Sequence, residues 1–547
     1  MPMIFLSIKK YLDSGTLAIW FCGAGLATSL LLIGGLLLLI MIHGLGFFWP
    51  QDLVELNLKN GTHVLGQITA WEVIHGSVAP QQPEGKGRIQ LKVGNRDLYG
   101  LDFQWIDDDQ ILKQSRPQDA LLIERWEWGN FFGRIKEVRK GPLVVAAGYQ
   151  KSLVALLPLI EQANAVRDHI QHLEKDVIGA INYDIERIRL SLRALAIKGE
   201  QASSKAVTLQ ENMDNLQRLY ERHTQTLQNL YRKLNEYSVV LVDVNGQEKN
   251  VPVGQIIRVF RPNAMTWMDK AFMYVGNVWK VLSEEPREAN TEGGIFPAIF
   301  GTVMMVLIMS IVVVPFGVLA AVYLKEYARQ GWMVRAVRIA VNNLAGVPSI
   351  VFGMFGLGFF VYTVGGTIDS FFFQEAMPNP TYGTGGILWA SLTLALMTVP
   401  VVVVATEEGL SAVPREYREG SLGLGATKVE TLLRVVLPCA MPGILTGLIL
   451  AISRATGEVA PLMLTGVVKL APSLPVDGYF PFLHLDRKFM HLGFHIYDVG
   501  FQSPNVEAAK PMVYVTTLVL VMVVILLNLI AISIRNRMRK QYAGSAV

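Results

Sequence analysis

Long apolar runs alternate with polar stretches and divide the chain into three kinds of region. One run occupies residues 16–48, and five more follow residue 293. Those five cover residues 295–324, 339–364, 387–405, 440–464 and 512–534. Each run is long enough to cross a hydrocarbon core of about 30 Å. The pattern therefore predicts an α-helical membrane protein with six transmembrane helices, the first being a retained anchor.

The basic residues predict the orientation of these helices. Lys9 and Lys10 precede the first run, and further basic residues cluster in alternate loops and in the tail, for example Arg335, Arg415 and Arg537. Six alternating spans place all of them on one side, which the positive-inside rule makes the cytoplasm. Residues 1–15, the loop 407–438 and the tail 536–547 are then cytoplasmic, and residues 49–262 are extracytoplasmic.

Residues 49–262 begin and end with a strand-like alternation of apolar and polar positions. Two alternating runs, at 54–59 and 64–69, flank Asn60-Gly61, which predicts a hairpin. Further strands are expected at 88–93, 97–105 and 121–128. A second hairpin is expected to pair residues 239–244, across Asn245-Gly246, with residues 256–260. The insertion therefore contains a mostly β domain.

A helical pattern interrupts this β domain at residues 159–238. Apolar positions recur at spacings of four and three, the heptad seam of a coiled coil. The seam of the second arm consists of Leu209, Met213, Leu216, Tyr220, His223, Leu227, Leu230, Leu234 and Tyr237. Lys198-Gly199 and Ser203-Ser204 break the pattern midway, which favours an antiparallel hairpin. The alternative is one continuous helix that dimerises.

Residues 263–292 predict an amphipathic helix followed by a polar linker. Trp267 and Trp279 belong to the apolar face of this helix, with Phe272 and Val275 between them. Tryptophan is enriched at the boundary between membrane and water. We therefore expect this helix to lie in the interface of the lipid bilayer and to lead into the membrane domain, residues 293–535.

Composition excludes several other classes. The 547 residues are 51% hydrophobic, and their net charge of +4 is too small to indicate nucleic-acid binding. Cys22 and Cys439 lie in or beside apolar runs, so neither a disulfide framework nor a metal site is expected. His169 and His172 are three apart on a helix, which is more typical of a solvated surface than of a metal site. No bound cofactor is predicted.

Two charged residues fall within the fifth apolar run. Arg454 and Glu458 are four residues apart and share one face of a continuous helix. Even the lowest scales assign about 2.5–3.5 kcal/mol to a centrally placed arginine, so the pair must face protein or water. One interpretation is an ion pair that ties helices together. The other is that Arg454 is the counter-charge for a translocated oxyanion, whose tetrahedral oxygens match the guanidinium fork, while Glu458 holds the arginine in place.

The polar loop 407–438 has a spaced pattern of its own. Glu419-Gly420-Ser421 is followed by Gly425 and, after nine residues, by Val435–Pro438. Small residues allow a helix to lie close to a partner surface, and Gly425 can adopt the positive φ that ends a helix. Leu437-Pro438 is expected to begin the next membrane helix, with the proline in its first turn.

This spacing resembles the EAA loop of ABC-importer permeases. Residues 345–353 and 452–462 are similar to the core of phosphate ABC-importer permeases, and the resemblance covers about residues 264–540. It implies the ABC-importer permease fold in a bacterial inner membrane. It also implies three kinds of partner: a second permease subunit, two ATP-binding subunits that dock on the loop, and a periplasmic phosphate-binding protein. The long insertion departs from the family pattern.

The resemblance assigns the site residues and the function. Arg454 and Glu458 would line the substrate pathway, and Glu419, Gly420, Ser421, Gly425, Leu437 and Pro438 would form the loop that couples to the ATPase. The sequence has no G-x-x-x-x-G-K-[ST] motif, so ATP would be used by partner subunits and the chain would not be an enzyme. The alternatives are a permease for another oxyanion, the partner subunit of the phosphate system, or an envelope signalling or scaffold protein.

Overall fold

The computed structural model describes residues 16–73, 87–287, 290–503 and 506–543. The expected cytoplasmic N-terminus with Lys9 and Lys10 lies outside these residues, as do the last residues of the tail. Helix α1 (Thr16–Gly46) is the first of six described helices that are long and apolar enough to cross a membrane. Its outer surface is exposed along nearly its whole length, as expected of a helix that faces lipid.

The first part of the insertion is a five-stranded antiparallel sheet. Its strands are β1 (Val54–Leu58), β2 (His63–Val73) and β3 (Gly87–Lys92), then, after helix α2 (Arg96–Tyr99), β4 (Phe103–Asp107) and β5 (Ile111–Ser115). The order is β4-β3-β2-β1-β5. The β1–β2 hairpin turns at Gly61 with φ +80°. Residues 97–105 were predicted as one strand, which is wrong, because left-handed Asn95 and Gly100 enclose a single helical turn there.

The second sheet is built from strands on both sides of the helical segment. It contains β6 (Leu121–Arg125), β7 (Phe131–Lys140) and β8 (Leu143–Ala147), followed after the helices by β9 (Tyr237–Val242), β10 (Glu248–Pro252) and β11 (Ile256–Phe260). The order is β10-β9-β7-β6-β11, and β8 pairs with β7. The predicted pairing of residues 239–244 with 256–260 is wrong, because β9 pairs with β10 and β11 pairs with β6.

An antiparallel pair of helical arms leaves this sheet between β8 and β9. The first arm comprises α3 (Tyr149–His172), a π-helical segment (Leu173–Ile178) and α4 (Gly179–Ile197), and the second arm is α5 (Ser204–Leu234). Gly199 takes φ +77° at the turn, and Ser203 caps α5 by accepting from the backbone N–H of Ala206. Helix α5 packs against both α3 and α4, so the chain forms a hairpin. We call residues 149–234 the helical hairpin.

Helix α6 (Trp267–Ser283) connects the insertion to the bundle. Thr266 and Asp269 form a capping box at its start. Tyr274 and Val281 pack with Phe48 from the end of α1, while the opposite face of α6 is exposed. Two short strands, β12 (Pro286–Arg287) and β13 (Glu292–Gly293), follow before the membrane domain.

The membrane domain contains five long helical spans and several short helices. Its first elements are α7 (Phe296–Val322, continued by a π turn to Tyr327), α8 (Trp332–Leu344), α9 (Ser349–Phe355, continued by a π segment) and α10 (Gly366–Phe372). Next come α11 (Ile387–Ser411), α12 (Arg415–Gly423), α13 (Lys428–Thr431, continued by a π turn) and α14 (Leu437–Gly457). The last are α15 (Ala460–Thr465), α16 (Leu492–Tyr497) and α17 (Val506–Ala543).

The second and fourth of these spans differ from the predicted runs. Residues 339–364 were predicted as one span, but α8 is a separate amphipathic helix and the span begins at Ser349. Pro348 explains this break, since proline disfavours helical geometry in the residue before it. The predicted run 440–464 is also broken, because the span covers Lys428–Gly457. Pro461 has no N–H to donate to the carbonyl of Gly457, so the helix ends at Gly457.

Helix α11 is the most buried span and packs against both α7 and α14. Glycines allow these approaches: a Cβ on Gly443 would lie 2.7 Å from the Cα of Gly409, and one on Gly317 would lie 2.6 Å from Val402. Six alternating spans leave the insertion on one side of the bundle and the loop 412–427 on the other. We call these the insertion side and the loop side.

Candidate functional site

Arg454 and Glu458 lie at the end of α14 rather than in the middle of a span. Glu458 has left the helix, with φ −80° and ψ 133°, so the two side chains do not share one face of a continuous helix as predicted. The helix break still brings them together, with Arg454 Nε 3.7 Å from Glu458 Oε1. This distance makes an ion pair but is too long for a strong hydrogen bond. The guanidinium therefore keeps donors for another ligand.

The charged pair lies on a face of α14 that this chain leaves open. The side chains of Arg454 and Glu458 are 33% and 23% exposed, and Leu450, one turn earlier, is 54% exposed. Ala451 and Ala455, on the other face, are fully buried in the bundle. Charged groups in a membrane avoid lipid. This face therefore requires water or a second protein surface to cover it.

A polar contact next to Arg454 fixes α14 against α17. Asn528 donates to Ser453 Oγ at 2.8 Å, and the Ser453 hydroxyl lies 3.0 Å from the Asn528 carbonyl oxygen. Our sequence analysis did not identify Asn528. A single amide inside a long apolar run is the signal that indicates such an interhelical contact.

The loop 407–438 has the helix, glycine turn and second helix that the resemblance implied. Helix α12 ends at Gly423, Gly425 takes φ +88°, and α13 begins after Thr427. Thr427 and Glu430 form a reciprocal capping box, which the Thr-x-x-Glu spacing could have predicted. The loop is therefore a defined structural element.

Polar contacts hold this loop against the end of α7. Arg418 contacts Glu326 at 3.2 Å, and Lys428 binds the backbone oxygen of the same Glu326. The hydroxyls of Ser421 and Thr431 lie 2.9 Å apart and join α12 to α13. Sequence reasoning missed Glu326, because its partners are about a hundred residues away.

The outer surface of the loop is open. Glu419, Gly420 and Gly425 are exposed, and Leu424 between the two helices is 92% exposed. A Cβ added at Gly420 or Gly425 would meet no atom within 4 Å. Small residues beside a protruding leucine make a surface that a partner can approach closely.

Leu437 and Pro438 begin α14, with the proline in its first turn as expected. The membrane span nevertheless starts earlier, because α13 and a π turn continue into α14, so that one span of 30 residues runs from Lys428 to Gly457. A π turn at Leu432–Val436 directly precedes the proline. Such turns accommodate a proline because they relax the regular bonding ladder, which accounts for the continuous helix. The loop and Arg454 therefore belong to one rod.

On the insertion side, the helical hairpin rests on two connecting loops of the bundle. The rings of Tyr183 and Tyr479 stack with centroids 5.0 Å apart. Tyr183 donates to the backbone oxygen of Phe480 at 2.5 Å, and Tyr479 donates to that of Asp176 at 3.2 Å. Helix α4 also packs against residues 374–376. The insertion thus touches the connections that precede α11 and follow α15.

These two connections are themselves bonded to one another. The N–H of Gly386 donates to Thr465, and the N–H of Ile387 donates to Arg487, at 3.0 and 2.9 Å. Buried Asp369 accepts from the backbone N–H groups of Tyr382 and Gly383. The surface under the hairpin is therefore a fixed platform.

Metal ligation receives no support from the residues that the structure describes. They contain no group of three His, Cys, Asp or Glu side chains placed to hold a metal ion. Cys22 is exposed and Cys439 is half-buried, and the two are not bonded to each other.

Comparison with known proteins places this fold and site in a family. Residues 313–541 match the family described as binding-protein-dependent transport system inner membrane component. A probable ABC transporter permease of Bacillus subtilis (strain 168) is 33% identical over 40% of this chain and 70% of its own length. The chain belongs to this family of ABC-importer permeases and is a multi-pass membrane protein.

Two other relatives carry a more specific name. A phosphate transport system permease protein PstA 1 of Mycobacterium tuberculosis (strain CDC 1551 / Oshkosh) is 38% identical over 34% of this chain and 55% of its own length. A probable phosphate transport system permease protein PstA of Methanocaldococcus jannaschii is 31% identical over 40% of this chain and 67% of its own length. The chain spans about half the length of several of the curated relatives it matches.

A solved structure also aligns with part of this chain. An inward-facing structure of the MetNI methionine ABC transporter aligns over 45% of this chain and 94% of its own chain, at 19% identity and a TM-score of 0.32.

Proposed function

We propose that this chain is a permease subunit of an ATP-dependent importer for inorganic phosphate, of the type that its relatives name PstA. The observation that carries the proposal is Arg454, a guanidinium on the open face of α14 with only a loose ion pair to Glu458. A tetrahedral oxyanion matches its fork of donors. Relatives named as phosphate transport permeases support phosphate over other oxyanions.

The proposed transport step is an exchange of partners at Arg454. A phosphate entering from the insertion side binds the guanidinium and displaces Glu458. Because that pair spans 3.7 Å, the carboxylate competes only moderately with the incoming anion. Return of Glu458 to Arg454 then favours release of phosphate on the loop side. Glu458 thus positions the arginine and limits how tightly it holds the substrate.

The proposed coupling runs through one helix. A span of 30 residues runs from Lys428 in the loop to Gly457, next to the pair of Arg454 and Glu458. Its length is about 45 Å at 1.5 Å per residue. An ATP-binding subunit that docks on Leu424 and its small neighbours would move the near end of this rod. The far end would then move Arg454 relative to the rest of the pathway.

The partners follow from the open surfaces. A second permease subunit would cover the exposed face of α14 and complete the pathway. Two ATP-binding subunits would dock on the loop side, one on each permease, and would carry the hydrolysis, so this chain is not itself an enzyme. A soluble phosphate-binding protein would deliver substrate to the insertion side. In this proposal the protein lies in a bacterial inner membrane, with residues 49–262 in the periplasm and the loop side in the cytoplasm.

The proposal is tested by substrate selectivity of the complete transporter. The assembly should be reconstituted in liposomes with the loop side facing the lumen and with ATP enclosed in the lumen. We expect uptake of radiolabelled phosphate that a tenfold excess of unlabelled phosphate suppresses and the same excess of sulfate leaves intact. Uptake of sulfate in place of phosphate would show that the substrate is another oxyanion. The absence of ATP-dependent uptake of both anions would contradict a transport role.

A further inference from the structure

A cavity at the base of the insertion lies where α1 leaves the membrane. It has a volume of about 280 Å³ and is lined by Trp49, Asp52, Val54, Ile68, Arg116 and Lys270. Asp52 is only six residues beyond Gly46, the end of the first span, so it lies within about 20 Å of that end even if the chain is extended. A turn at residues 47–49 shortens the separation. The cavity therefore lies near the level of lipid headgroups.

Helix α6 gives a second, independent indication of this level. Its outer face exposes Trp267, Phe272, Val275 and Trp279, all more than 60% accessible. Its inner face packs on Phe48 at the end of α1, which fixes its height. An exposed stripe of large apolar residues on a helix that packs against the end of a membrane span suits the lipid interface, where tryptophan is enriched.

The polar residues of the cavity carry a net positive charge. Asp52 pairs with Lys270 and lies 3.4 Å from Arg116, so two cations share one carboxylate. Lys270 is held in place with a side chain only 14% exposed, while Arg116 is 65% exposed and free to reorient. The ring of Trp49 lies 6.3 Å from that of Trp267 and joins the cavity to the lipid-facing stripe.

We propose that this cavity binds the phosphodiester headgroup of a phospholipid from the leaflet on the insertion side. The phosphate oxygens accept from Arg116 and Lys270, and Asp52 accepts from a hydroxyl or ammonium group of the headgroup. The acyl chains pass Trp49 and continue along α1 and the outer face of α6. Free inorganic phosphate shares the oxyanion chemistry. However, Trp49, Val54 and Ile68 line the cavity with apolar surface that suits a ligand with an apolar part.

Bound lipid would anchor the insertion to the membrane at a defined height. Asp52 and Arg116 belong to the β domain, whereas Lys270 belongs to α6, so one headgroup bridges the two elements. This role is independent of phosphate transport, and it can be true or false whichever substrate the permease carries.

The test is lipid retention by the full chain in its assembled complex. Native mass spectrometry after mild delipidation should find one phospholipid per chain in the parent protein. Arg116→Gln should lower retention roughly fivefold, and Arg116→Gln with Lys270→Gln roughly 25-fold, as expected for the loss of one or two interfacial cations. Lys113→Gln, on β5 three residues before Arg116 and outside the cavity, is the matched control and should retain the parent level.

Three results would overturn the proposal. The parent protein would retain no more lipid than the double variant, or the Lys113→Gln control would lose as much as Arg116→Gln. In the third, 10 mM inorganic phosphate would displace the retained lipid, which would make the cavity a site for free phosphate. Arg116→Gln keeps the test valid if the double variant fails to fold, because the Arg116 side chain is mostly exposed.

Discussion

Glu458 is the residue whose placement most affects how Arg454 works. It lies outside the helix that carries its partner, and its carboxylate approaches the guanidinium only to 3.7 Å. The sequence identified both residues by their charge, because two charges inside an apolar run are costly unless they have a role. It did not predict their geometry, because a break after Gly457 changes which way Glu458 points.

Replacing this carboxylate should tighten substrate binding. In Glu458→Gln, Arg454 loses its competitor, so we expect the KM for phosphate uptake to fall about fivefold, equivalent to roughly 1 kcal/mol for a partly exposed pair. Turnover should fall as well, because release then lacks the returning carboxylate. Glu161→Gln, exposed on α3, is the control. A raised KM in Glu458→Gln would mean that the residue supports binding instead of limiting it.

Two buried histidines predict a loss of stability in acid. Burial lowers the pKa of His491 to about 3, and burial, partly offset by Asp498 and reinforced by Lys469, lowers that of His495 to about 4. Both are neutral in the fold but gain a proton when unfolded, near pH 6.5. Stability is therefore lost as the pH falls below about 6.5, by up to about 2 kcal/mol per histidine between pH 7 and pH 5.

Thermal unfolding of the detergent-solubilised protein at pH 7 and pH 5 measures this effect. The midpoint should fall on acidification, and His495→Gln should reduce the difference between the two pH values. His169→Gln, on the exposed surface of α3, should leave the difference unchanged. An equal midpoint at both pH values would show that neither histidine is kept neutral by the fold.

At the scale of elements, the loop on the loop side was the best predicted part of the site. The family resemblance implied its helix, turn and helix, and Gly425 and the capping box at Thr427 are the local features that form them. The start of α14 at Leu437, with Pro438 in its first turn, was predicted correctly. The extension of the membrane span back to Lys428 was not predicted, because a π turn joins α13 to α14.

The glycine turn allows a controlled test of this loop. Gly425→Ala places a side chain at φ +88° in open space, so its cost of about 1 kcal/mol comes from the backbone alone. We expect weaker stimulation of ATP hydrolysis by substrate, because the angle between α12 and α13 changes. Gly423→Ala, also in open space but helical, should leave stimulation intact. Equal stimulation of ATP hydrolysis in the two variants would show that the turn at Gly425 does not take part in coupling.

The β domain shows where local signals stop. The β1–β2 hairpin was correct because Asn60-Gly61 joins strands that pair with each other. The second hairpin was predicted with the wrong second strand. The strand that pairs with β9 after Asn245-Gly246 is β10, and β11 pairs with β6 instead. Choosing among strand partners depends on the whole sheet, and alternation along one strand does not contain that information.

The contact between the helical hairpin and the bundle belongs to the scale of the whole molecule. Tyr183 and Tyr479 are almost three hundred residues apart, so their stacking was beyond any local pattern. A Tyr183→Cys, Tyr479→Cys variant should be crosslinked by a short bifunctional thiol reagent in intact membranes, detected as a mobility shift. Tyr220→Cys with Tyr479→Cys, which uses an exposed tyrosine of α5, is the control. Crosslinking of the control alone would place the hairpin elsewhere.

The whole molecule combines a family membrane domain with an insertion that the family match does not include. The six spans and the charged pair were accessible from sequence because membranes impose simple rules of length and charge, and the loop 407–438 was accessible through its spaced pattern. The docking of the insertion on the bundle was not, since it depends on a few long-range contacts. The helical hairpin now defines part of the surface that any delivering protein would meet on the insertion side.

The most direct test of the account is phosphate uptake by the reconstituted transporter with Arg454→Gln, compared with Arg454→Lys and with Arg537→Gln in the tail. We predict that Arg454→Gln assembles normally but lowers kcat/KM about 100-fold, as expected for the loss of a charge-assisted partner of the substrate. Arg454→Lys should keep part of the activity, and Arg537→Gln all of it. Uptake by assembled Arg454→Gln at the parent rate would contradict the central claim that the anion passes this guanidinium.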